Sequence, residues 1–371
     1  MKKIVLIDHE LFTIRRKQIF MIDNFIKSGY NVEIWDISNI VYPNIEYPDE
    51  TNDAIVYKLY NINDLKKKLS LHDIKNTIFI VECLCIWGNR KIYKLLSDFN
   101  CYIVKLDLYA NTVLEESLLN KISRFISKFF FTIINNKLKQ LLFIIYKNKY
   151  KIKSFDMVFS SSSIVYRTNN INHPDYESYK KSIEEPALIK GDYIVFCDIF
   201  FPEHPDLILS YKKRPSTAKY RKSLNAFFDF LEKKYNMPVV IAAHPKANYK
   251  GDEFKNRKII KYKTSNLVLN SKIVLQHFSN SVSYCILSNK PILFFITEDM
   301  NKLQESIQYM KLLAKTLDKK IYNIDKDNLQ LIKIEKIDPN IRRKYIYTYL
   351  TSLETKDKTN FDILNCIFHK I

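Results

Sequence analysis

The chain has 371 residues, 47% of them hydrophobic and 14% aromatic, so it can bury a sizeable core and is long enough for two domains. Its formal net charge of +19 would suit nucleic acid, an anionic membrane surface or an acidic substrate, but no zinc-finger or RNA-recognition signature accompanies the charge. Only 4 glycines occur, which excludes a G-x-G-x-x-G turn and a Walker loop. We therefore expect neither a classical dinucleotide oxidoreductase, nor a P-loop NTPase, nor a nucleic-acid partner.

The six cysteines lie singly, mostly inside apolar runs, where free cysteine behaves as a small buried hydrophobe. The N-terminal stretch is interrupted by charge too early for a signal peptide, and no run of about 18 apolar residues occurs. These features predict a protein of the reducing cytoplasm.

The first half of the chain reads as a series of strands and helices. Residues 3–7 form a first apolar run, and the polar loop Asp8-His9-Glu10 follows directly. Apolar residues between Ile19 and Ile26 recur at helical spacing and stop at Ser28-Gly29, a helix C-terminal signal. Further strands are predicted at 30–35, 76–81, 102–106 and 155–159, with helices between them.

One segment of this half, residues 121–153, carries nine basic residues and no acid, interleaved with Phe, Ile and Leu. Helices with a basic face and an aromatic-rich apolar face lie in the membrane interface. The alternative is a core helix with a lysine-rich solvent face. The segment predicts contact with an anionic inner-membrane surface.

Residues 169–190 are polar, contain Pro174 and Pro186, and read as an interdomain linker. A second series of strands is predicted after it at 192–197, 239–243, 258–260, 273–275 and 292–295, with a helix at 223–234. The sequence therefore predicts an α/β protein with two Rossmann-like lobes, residues 1–185 and 186–371, and a central cleft.

Two polar loops of the second lobe, at residues 244–246 and 277–281, each follow an apolar run. The carboxyl end of a strand is the position at which parallel sheets bind ligands. Histidine and lysine can share positive charge with a phosphate, and serine hydroxyls can donate hydrogen bonds to it. A third loop, Lys263-Thr264, could contact a base or ribose. The predicted nucleotide-binding residues are His244, Pro245, Lys246, Lys263, Thr264, His277, Ser279, Asn280 and Ser281. The alternatives are buried structural histidines and a serine N-cap with its neighbour.

The order of His244-Pro245, the serines Ser279 and Ser281, and Lys290-Pro291-Ile292 resembles the C-terminal lobe of GT-B glycosyltransferases from bacterial surface-polysaccharide pathways. It is most similar to transferases that use CMP-activated acidic sugars, such as polysialyltransferases and capsular Kdo transferases. Two departures stand out. The Asp/Glu-Asp/Glu-Gly motif of polysialyltransferases is absent, and Asn280 separates the serines that are adjacent in teichoic-acid polymerases using CDP-glycerol.

The resemblance implies an inverting transfer, which needs a general base in the acceptor lobe. The loop after the first strand supplies the candidates, although acids there could instead compensate the dipole of the following helix. Acids in the loop after residue 197 could orient a sugar hydroxyl. The predicted catalytic residues are Asp8, His9, Glu10 and Asp198. No Asp-x-Asp motif occurs in a suitable loop, so we expect no metal and no cofactor.

The expected function is transfer of an acidic sugar, sialic (nonulosonic) acid or Kdo-like, from a CMP-sugar donor. The acceptor would be an oligosaccharide or lipid-linked glycan of capsule, lipooligosaccharide or O-antigen, and the enzyme would lie peripherally on the inner face of the plasma membrane. The alternatives are a CDP-polyol phosphotransferase or UDP-sugar glycosyltransferase of the same fold, or a non-catalytic basic protein that binds nucleic acid or membrane.

Overall fold

A computed structural model describes residues 2–10, 12–43, 53–109, 130–163, 168–204 and 215–371, with main chain alone at 130–136, 302 and 304–306. The chain divides into two compact units. Unit 1 comprises Met1–Asn172 and Leu353–Ile371, and unit 2 comprises His173–Ser352. The division therefore precedes the boundary predicted at 185/186, and the last residues of the chain return to unit 1.

Unit 1 is built on a seven-stranded sheet in which every pair of neighbours is parallel. Its strands are β1 (Lys3–Asp8), β2 (Asn31–Asp36), β3 (Val56–Lys58), β4 (Thr77–Val81), β5 (Tyr102–Asp107), β6 (Met157–Ser160) and β7 (Asn169–Asn170). Their order is β3-β2-β1-β4-β5-β6-β7, so the direction of winding reverses between β1 and β4. Strand β4 is buried along its whole length, which explains its continuous apolar sequence.

The described helices of unit 1 are α1 (Ile14–Ile19), α2 (Ile22–Lys27), α3 (Ser38–Val41), α4 (Ile62–Ser70), α5 (Arg90–Asp98) and α6 (Phe130–Lys149), and a last helix, Asn360–Phe368, comes from the end of the chain. The helical pattern predicted from Ile19 to Ile26 is interrupted, because Met21 adopts a left-handed backbone with φ of 53°. In the last helix Leu364 and Phe368 are fully buried, and Phe368 stacks on Phe25 of α2.

Unit 2 is built on a six-stranded sheet, again with parallel neighbours throughout. Its strands are β8 (Ile194–Cys197), β9 (Val239–Ala243), β10 (Ile259–Lys261), β11 (Ile273–Gln276), β12 (Ile292–Ile296) and β13 (Ile321–Asn323). The order is β10-β9-β8-β11-β12-β13, which reverses between β8 and β11. The described helices are α7 (Pro174–Glu184), α8 (Thr217–Tyr235), α9 (Thr264–Asn270), α10 (Val282–Leu287), α11 (Gln304–Thr316) and α12 (Pro339–Tyr345), and the helix Asn360–Phe368 is α13.

The division between the two units, after Asn172, falls inside the predicted linker 169–190, but this stretch is not a loop throughout. Half of it is helix α7, which packs against α9 and α10 of unit 2. Pro174 occupies the first turn, where its missing N–H costs nothing, and the His173 ring caps the helix by accepting a hydrogen bond from the Asp175 N–H at 3.0 Å. Proline here marks a helix start, and composition alone does not separate that from a loop.

Each unit is thus a parallel sheet with helices on its faces, and the predicted class, two Rossmann-like α/β lobes, is confirmed.

Candidate functional site

Four loops of unit 2 follow adjacent strands and lie side by side at the carboxyl edge of its sheet. Pairing aligns Cys197 of β8 with Ala242 of β9 and Gln276 of β11, and Lys261 of β10 with Ala243. The switch point of the sheet lies between β8 and β11, and open α/β sheets bind ligands at the carboxyl ends of the strands there. The sheet therefore brings the loops predicted to bind a nucleotide together.

Asp198, the first residue after β8, is buried and its carboxylate is already occupied. Oδ2 accepts hydrogen bonds from the Tyr249 hydroxyl at 2.8 Å and the His244 N–H at 3.3 Å, and Oδ1 accepts one from the Phe200 N–H at 2.9 Å. Burial nevertheless raises the pKa of this carboxyl, and the hydrogen bonds oppose that shift. The Asp198 carboxylate thus fixes the loop that begins at His244, and its predicted catalytic role stays a prediction.

The His-Pro loop itself has a defined geometry. His244 is half-buried, and its Nδ1 accepts a hydrogen bond from the Lys246 N–H at 3.1 Å, so the neutral ring carries its hydrogen on Nε2. The ring lies 4.8 Å from that of His204, the histidine of a second His-Pro pair. Pro245 accepts a hydrogen bond from the Tyr262 hydroxyl at 3.4 Å, and Lys246 is exposed. An imidazole N–H and an ammonium group thus stand at the carboxyl edge.

The serine loop after β11 is held in place by a buried glutamine that the sequence analysis missed. The Gln276 side-chain amide donates to Ser281 Oγ and to the Ser279 carbonyl, both at 3.0 Å. The Ser281 hydroxyl donates to Ser279 Oγ at 3.0 Å, and its N–H to the same oxygen at 3.2 Å. Ser281 starts α10 without a side-chain cap bond, so N-capping does not explain it. Asn280, between the serines, is exposed and accepts a hydrogen bond from Tyr309 at 3.4 Å.

The prediction that His277 binds a phosphate is wrong. Its side chain is fully buried, Nδ1 donates to the Phe295 carbonyl at 2.6 Å, and Nε2 accepts from the Tyr220 hydroxyl at 2.9 Å. Burial lowers the pKa of the ring to about 4, and the bond to Phe295 opposes that shift only in part. A neutral, enclosed imidazole cannot reach a ligand, so His277 joins β11 to α8 and β12.

The loop after β10 contributes two of the predicted residues and one that was missed. Lys263 forms an exposed ion pair with Glu185 at 3.1 Å, and Thr264 begins α9 and is half-buried. Tyr262 precedes them with its side chain 68% exposed and a left-handed φ of 63°, which is uncommon for a bulky residue. Its exposed ring beside the His-Pro loop adds an aromatic surface to this edge.

In unit 1 the loop after β1 binds an arginine. Asp8 is buried, its Oδ2 lies 2.6 Å from both Nε and Nη2 of Arg16, and Oδ1 accepts from the Glu10 N–H at 3.0 Å. Glu10 is exposed and pairs with Nη1 of Arg16 at 2.8 Å. His9 is half-buried, with its ring 5.7 Å from that of Tyr42. Since Asp8 is enclosed and paired, it does not fit the predicted role of general base, and Glu10 and His9 stay predictions.

A dipole role for these acids is not supported either, because the first turn of α1 contains no acid and Thr13 caps the helix.

Glu82, directly after β4, is an acid that the sequence analysis missed. Because Ile7 pairs with Val81, Glu82 follows in register beside Asp8 at the switch point of the sheet. The residue is half-buried, yet its Oε1 is buried and has no hydrogen-bond partner in the described part of the chain. Burial, and then the charge of Asp8, raise the pKa of Glu82 to about 8, against the opposing charges of Arg16 and Lys105. The sequence IVECL gave no signal, since Glu82 stands inside an apolar stretch.

Within the described ranges, no three His, Cys, Asp or Glu side chains are grouped as metal ligands. None of the helices in the described part of the chain is both long and apolar enough to span a bilayer.

No family model matches the chain, and no curated protein matches it. Among solved structures, the glycosyltransferase of kitacinnamycin matches with a TM-score of 0.51 and 9% identity over 100% of this chain and 99% of its own. MurG from Acinetobacter baumannii has a TM-score of 0.47 and 6% identity over 100% of both chains. The UDP-GlcNAc 2-epimerase of Methanocaldococcus jannaschii has 0.45 and 11%, also over 100% of both. The first of these similarities extends over the whole chain and shows that the fold is of the GT-B type.

Proposed function

We propose that the protein is a glycosyltransferase that takes its sugar from a nucleotide-activated donor. The observation that carries this proposal is that two loops beside the switch point of unit 2 are held in place by hydrogen bonds. Asp198 holds the His-Pro loop, and Gln276 holds the serine loop. Each loop presents polar hydrogens at the edge where open α/β sheets bind ligands. In the GT-B fold this lobe is the one expected to bind the donor.

The donor phosphate would lie between the His-Pro loop and the serine loop. His244 Nε2–H and the Lys246 ammonium would contribute positive charge or charge-assisted hydrogen bonds. The Ser279 hydroxyl would donate to the phosphate, while Ser281 holds the Ser279 oxygen in place. Gln276 already orients the two serines, so little conformational entropy is lost at these side chains when the donor binds. Tyr262, Lys263 and Thr264 would face the base and ribose.

For the donor we retain the CMP-linked acidic sugar, on the ordered set His244-Pro245, Ser279, Ser281 and Lys290-Pro291-Ile292. A UDP-sugar or a CDP-polyol would place two phosphates at the same loops and is the alternative. Calorimetry with CMP, CDP and UDP separates these donors. A short oligonucleotide in the same series tests the non-catalytic alternative, which predicts oligonucleotide binding and no nucleotide binding.

We expect His244→Ala and Ser279→Ala each to weaken binding of the preferred nucleotide by ~1 to 3 kcal/mol, the cost of one hydrogen bond to a charged group. Isothermal titration calorimetry measures the loss. Ser271→Ala is the matched control, because Ser271 precedes β11 at the opposite edge of the sheet and donates to the Val268 carbonyl. Undiminished binding of CMP, CDP and UDP in both variants would remove the phosphate assignment.

Unit 1 would bind the acceptor glycan, and we propose an inverting transfer that needs no metal. Inversion places a general base next to the acceptor hydroxyl. The carboxyl edge of β1 and β4, with its acids, is the part of unit 1 that offers one.

We also propose that α6 rests on the anionic inner leaflet of the plasma membrane. Several of its apolar side chains are exposed: Leu138, Leu141, Leu142 and Ile145 are 51%, 54%, 38% and 56% exposed. The helix contacts unit 1 through Tyr146, whose ring lies 5.8 Å from that of Trp87. The apolar residues from 138 to 145 are thus largely outside the core, contrary to the core-helix alternative. Residues 121–129 of the predicted segment lie outside the described residues.

Lysines of α6 would face the lipid headgroups, each contributing ~1 kcal/mol near an anionic surface. We therefore expect a fourfold lysine-to-glutamine variant to lose salt-sensitive co-sedimentation with phosphatidylserine-containing liposomes while nucleotide binding is kept. The changed residues are Lys137, Lys139, Lys147 and Lys149. The matched control neutralises four lysines of α8 in unit 2, Lys219, Lys222, Lys233 and Lys234. Equal co-sedimentation of both variants and wild type, or none of any at low salt, would contradict the membrane proposal.

A further inference from the structure

We propose that Glu82 is the residue that takes the proton from the acceptor hydroxyl, in place of Asp8 or Glu10. This inference rests on the proposed glycosyl transfer and assigns its acid–base group. It comes from the position of Glu82, from the occupation of its neighbours, and from a buried carboxyl oxygen with no partner among the described residues.

The position of Glu82 is the first argument. It follows β4 and Asp8 ends β1, and these strands flank the point at which the sheet of unit 1 reverses its winding. Side chains in register on parallel neighbours point to the same face, so Glu82 and Asp8 share one face of the carboxyl edge. A ligand bound at this switch point would lie beside the half-buried Glu82, with the enclosed Asp8 behind it.

Occupation of the neighbouring acids is the second argument. Asp8 binds Nε and Nη2 of Arg16 and the Glu10 N–H, and Glu10 binds Nη1 of the same guanidinium. Arg16 is thereby engaged by two other carboxylates. A buried polar atom without a partner carries a desolvation cost, and such atoms in folded proteins call for an explanation. Glu82 as a whole is half-buried, and rotation of its carboxyl would bring Oε1 to a hydroxyl group of a bound sugar.

Electrostatics is the third argument. The charged groups that act on Glu82 are Asp8 of β1, Arg16 of α1, Lys105 of β5 and Glu10, and burial is the largest influence. Together they raise the pKa of Glu82 to about 8. A base whose conjugate acid has a pKa near the working pH is efficient, since it binds the proton firmly and is still ionised in a useful fraction of molecules.

In the proposed transfer, one proton and one glycosyl group change places. The ionised Glu82 carboxylate accepts the proton of the acceptor hydroxyl, and the oxygen forms a bond to the anomeric carbon of the donor. The bond from that carbon to the phosphate oxygen breaks, and the nucleotide leaves with its electron pair. Glu82 then returns its proton to solvent.

The test uses Glu82→Gln in the full chain, because glutamine copies the shape of the protonated acid. Nucleotide release is measured from CMP-N-acetylneuraminic acid and UDP-N-acetylglucosamine with lactose as acceptor. We expect a loss of ~10²-fold or more in turnover, with unchanged affinity for CMP or UDP. Wild-type turnover should rise as pH increases through about 8, where Glu82 ionises.

Asp98→Asn is the charge-matched control, because Asp98 ends α5 near the opposite edge of the sheet and pairs only with the neighbouring Lys94 among described residues.

A second measurement, of thermal stability, needs no substrate. Folding raises the pKa of Glu82, so the stability that its proton contributes to wild type is lost as pH rises toward about 8. The glutamine variant has no such proton to lose. The Tm of Glu82→Gln minus that of wild type should therefore rise between pH 5 and pH 9.

Three results would overturn the inference. Wild-type turnover in Glu82→Gln removes the catalytic role while leaving the transferase function in place. A Tm difference that does not change with pH shows that Glu82 does not titrate as required. Absence of nucleotide release from both donors by the wild-type protein rejects the transferase assignment, and the role of Glu82 falls with it.

Discussion

Replacing His277 with leucine is expected to lower the free energy of unfolding by ~2 to 6 kcal/mol at pH 7. The change removes the buried imidazole and leaves its two hydrogen-bond partners, the Tyr220 hydroxyl and the Phe295 carbonyl, unsatisfied. Each buried polar group left without a partner costs ~1 to 3 kcal/mol. Urea denaturation of wild type and variant measures the difference.

The pH dependence of stability is a second test of the structural role of His277. The pKa of His277 falls on folding from 6.5 to about 4, so the stability it contributes is present above pH 6.5 and is lost as pH falls toward 4. Wild type should lose on the order of 3 kcal/mol from this group across that window, and His277→Leu should not show that component. Tyr220→Phe, which removes one hydrogen bond, should cost less than His277→Leu. Equal stability of His277→Leu and wild type at pH 7 would refute the structural role of the ring.

Replacing Arg16 with methionine is expected to destabilise the protein by ~3 to 5 kcal/mol, because Asp8 is left as a buried charge without its partner. Methionine preserves most of the apolar stem of the side chain. The charge of Arg16 opposes the upward pKa shifts of Asp8 and Glu82, so its removal should cost more at high pH, where these carboxyls carry charge, than at low pH. Denaturant unfolding at several pH values measures the effect.

Lys17→Met serves as the control for Arg16→Met. Lys17 lies next to Arg16 on α1 but pairs with the exposed Asp23, so its loss should cost under about 1 kcal/mol. The double variant Asp8→Asn/Arg16→Met should recover part of the stability, since it removes the unpaired charge. Similar losses in Arg16→Met and Lys17→Met would show that Asp8 does not depend on Arg16.

The strands could be predicted because parallel strands buried on both faces carry continuous apolar runs. β9 coincides with the predicted residues 239–243, and β11 differs from the predicted 273–275 only by including Gln276. The loops of the candidate site followed from the same reasoning, since the carboxyl ends of parallel strands meet at one edge.

The role of each polar residue could not be predicted, because it depends on partners distant in sequence. His277 is enclosed by Tyr220 of α8 and Phe295 of β12, and its own neighbours in sequence do not reveal that. Glu82 is a single acid in an apolar stretch, and only the pairing of β4 with β1 brings it beside Asp8. Local sequence therefore locates the edge, and tertiary contacts decide which side chains there can meet a ligand.

The return of the chain to unit 1 has a consequence for the order of folding during synthesis. Helix α13 supplies Leu364 and Phe368 to the core beside α2, and the Lys2 ammonium donates to the Phe368 carbonyl at 2.8 Å. Ribosomes add ~5 to 20 residues per second, and domains usually fold as soon as their residues emerge. All of unit 2 must be translated before unit 1 receives its last helix. The nascent protein therefore spends that interval with the apolar surface of α2 uncovered, the period in which a chaperone would be most useful to it.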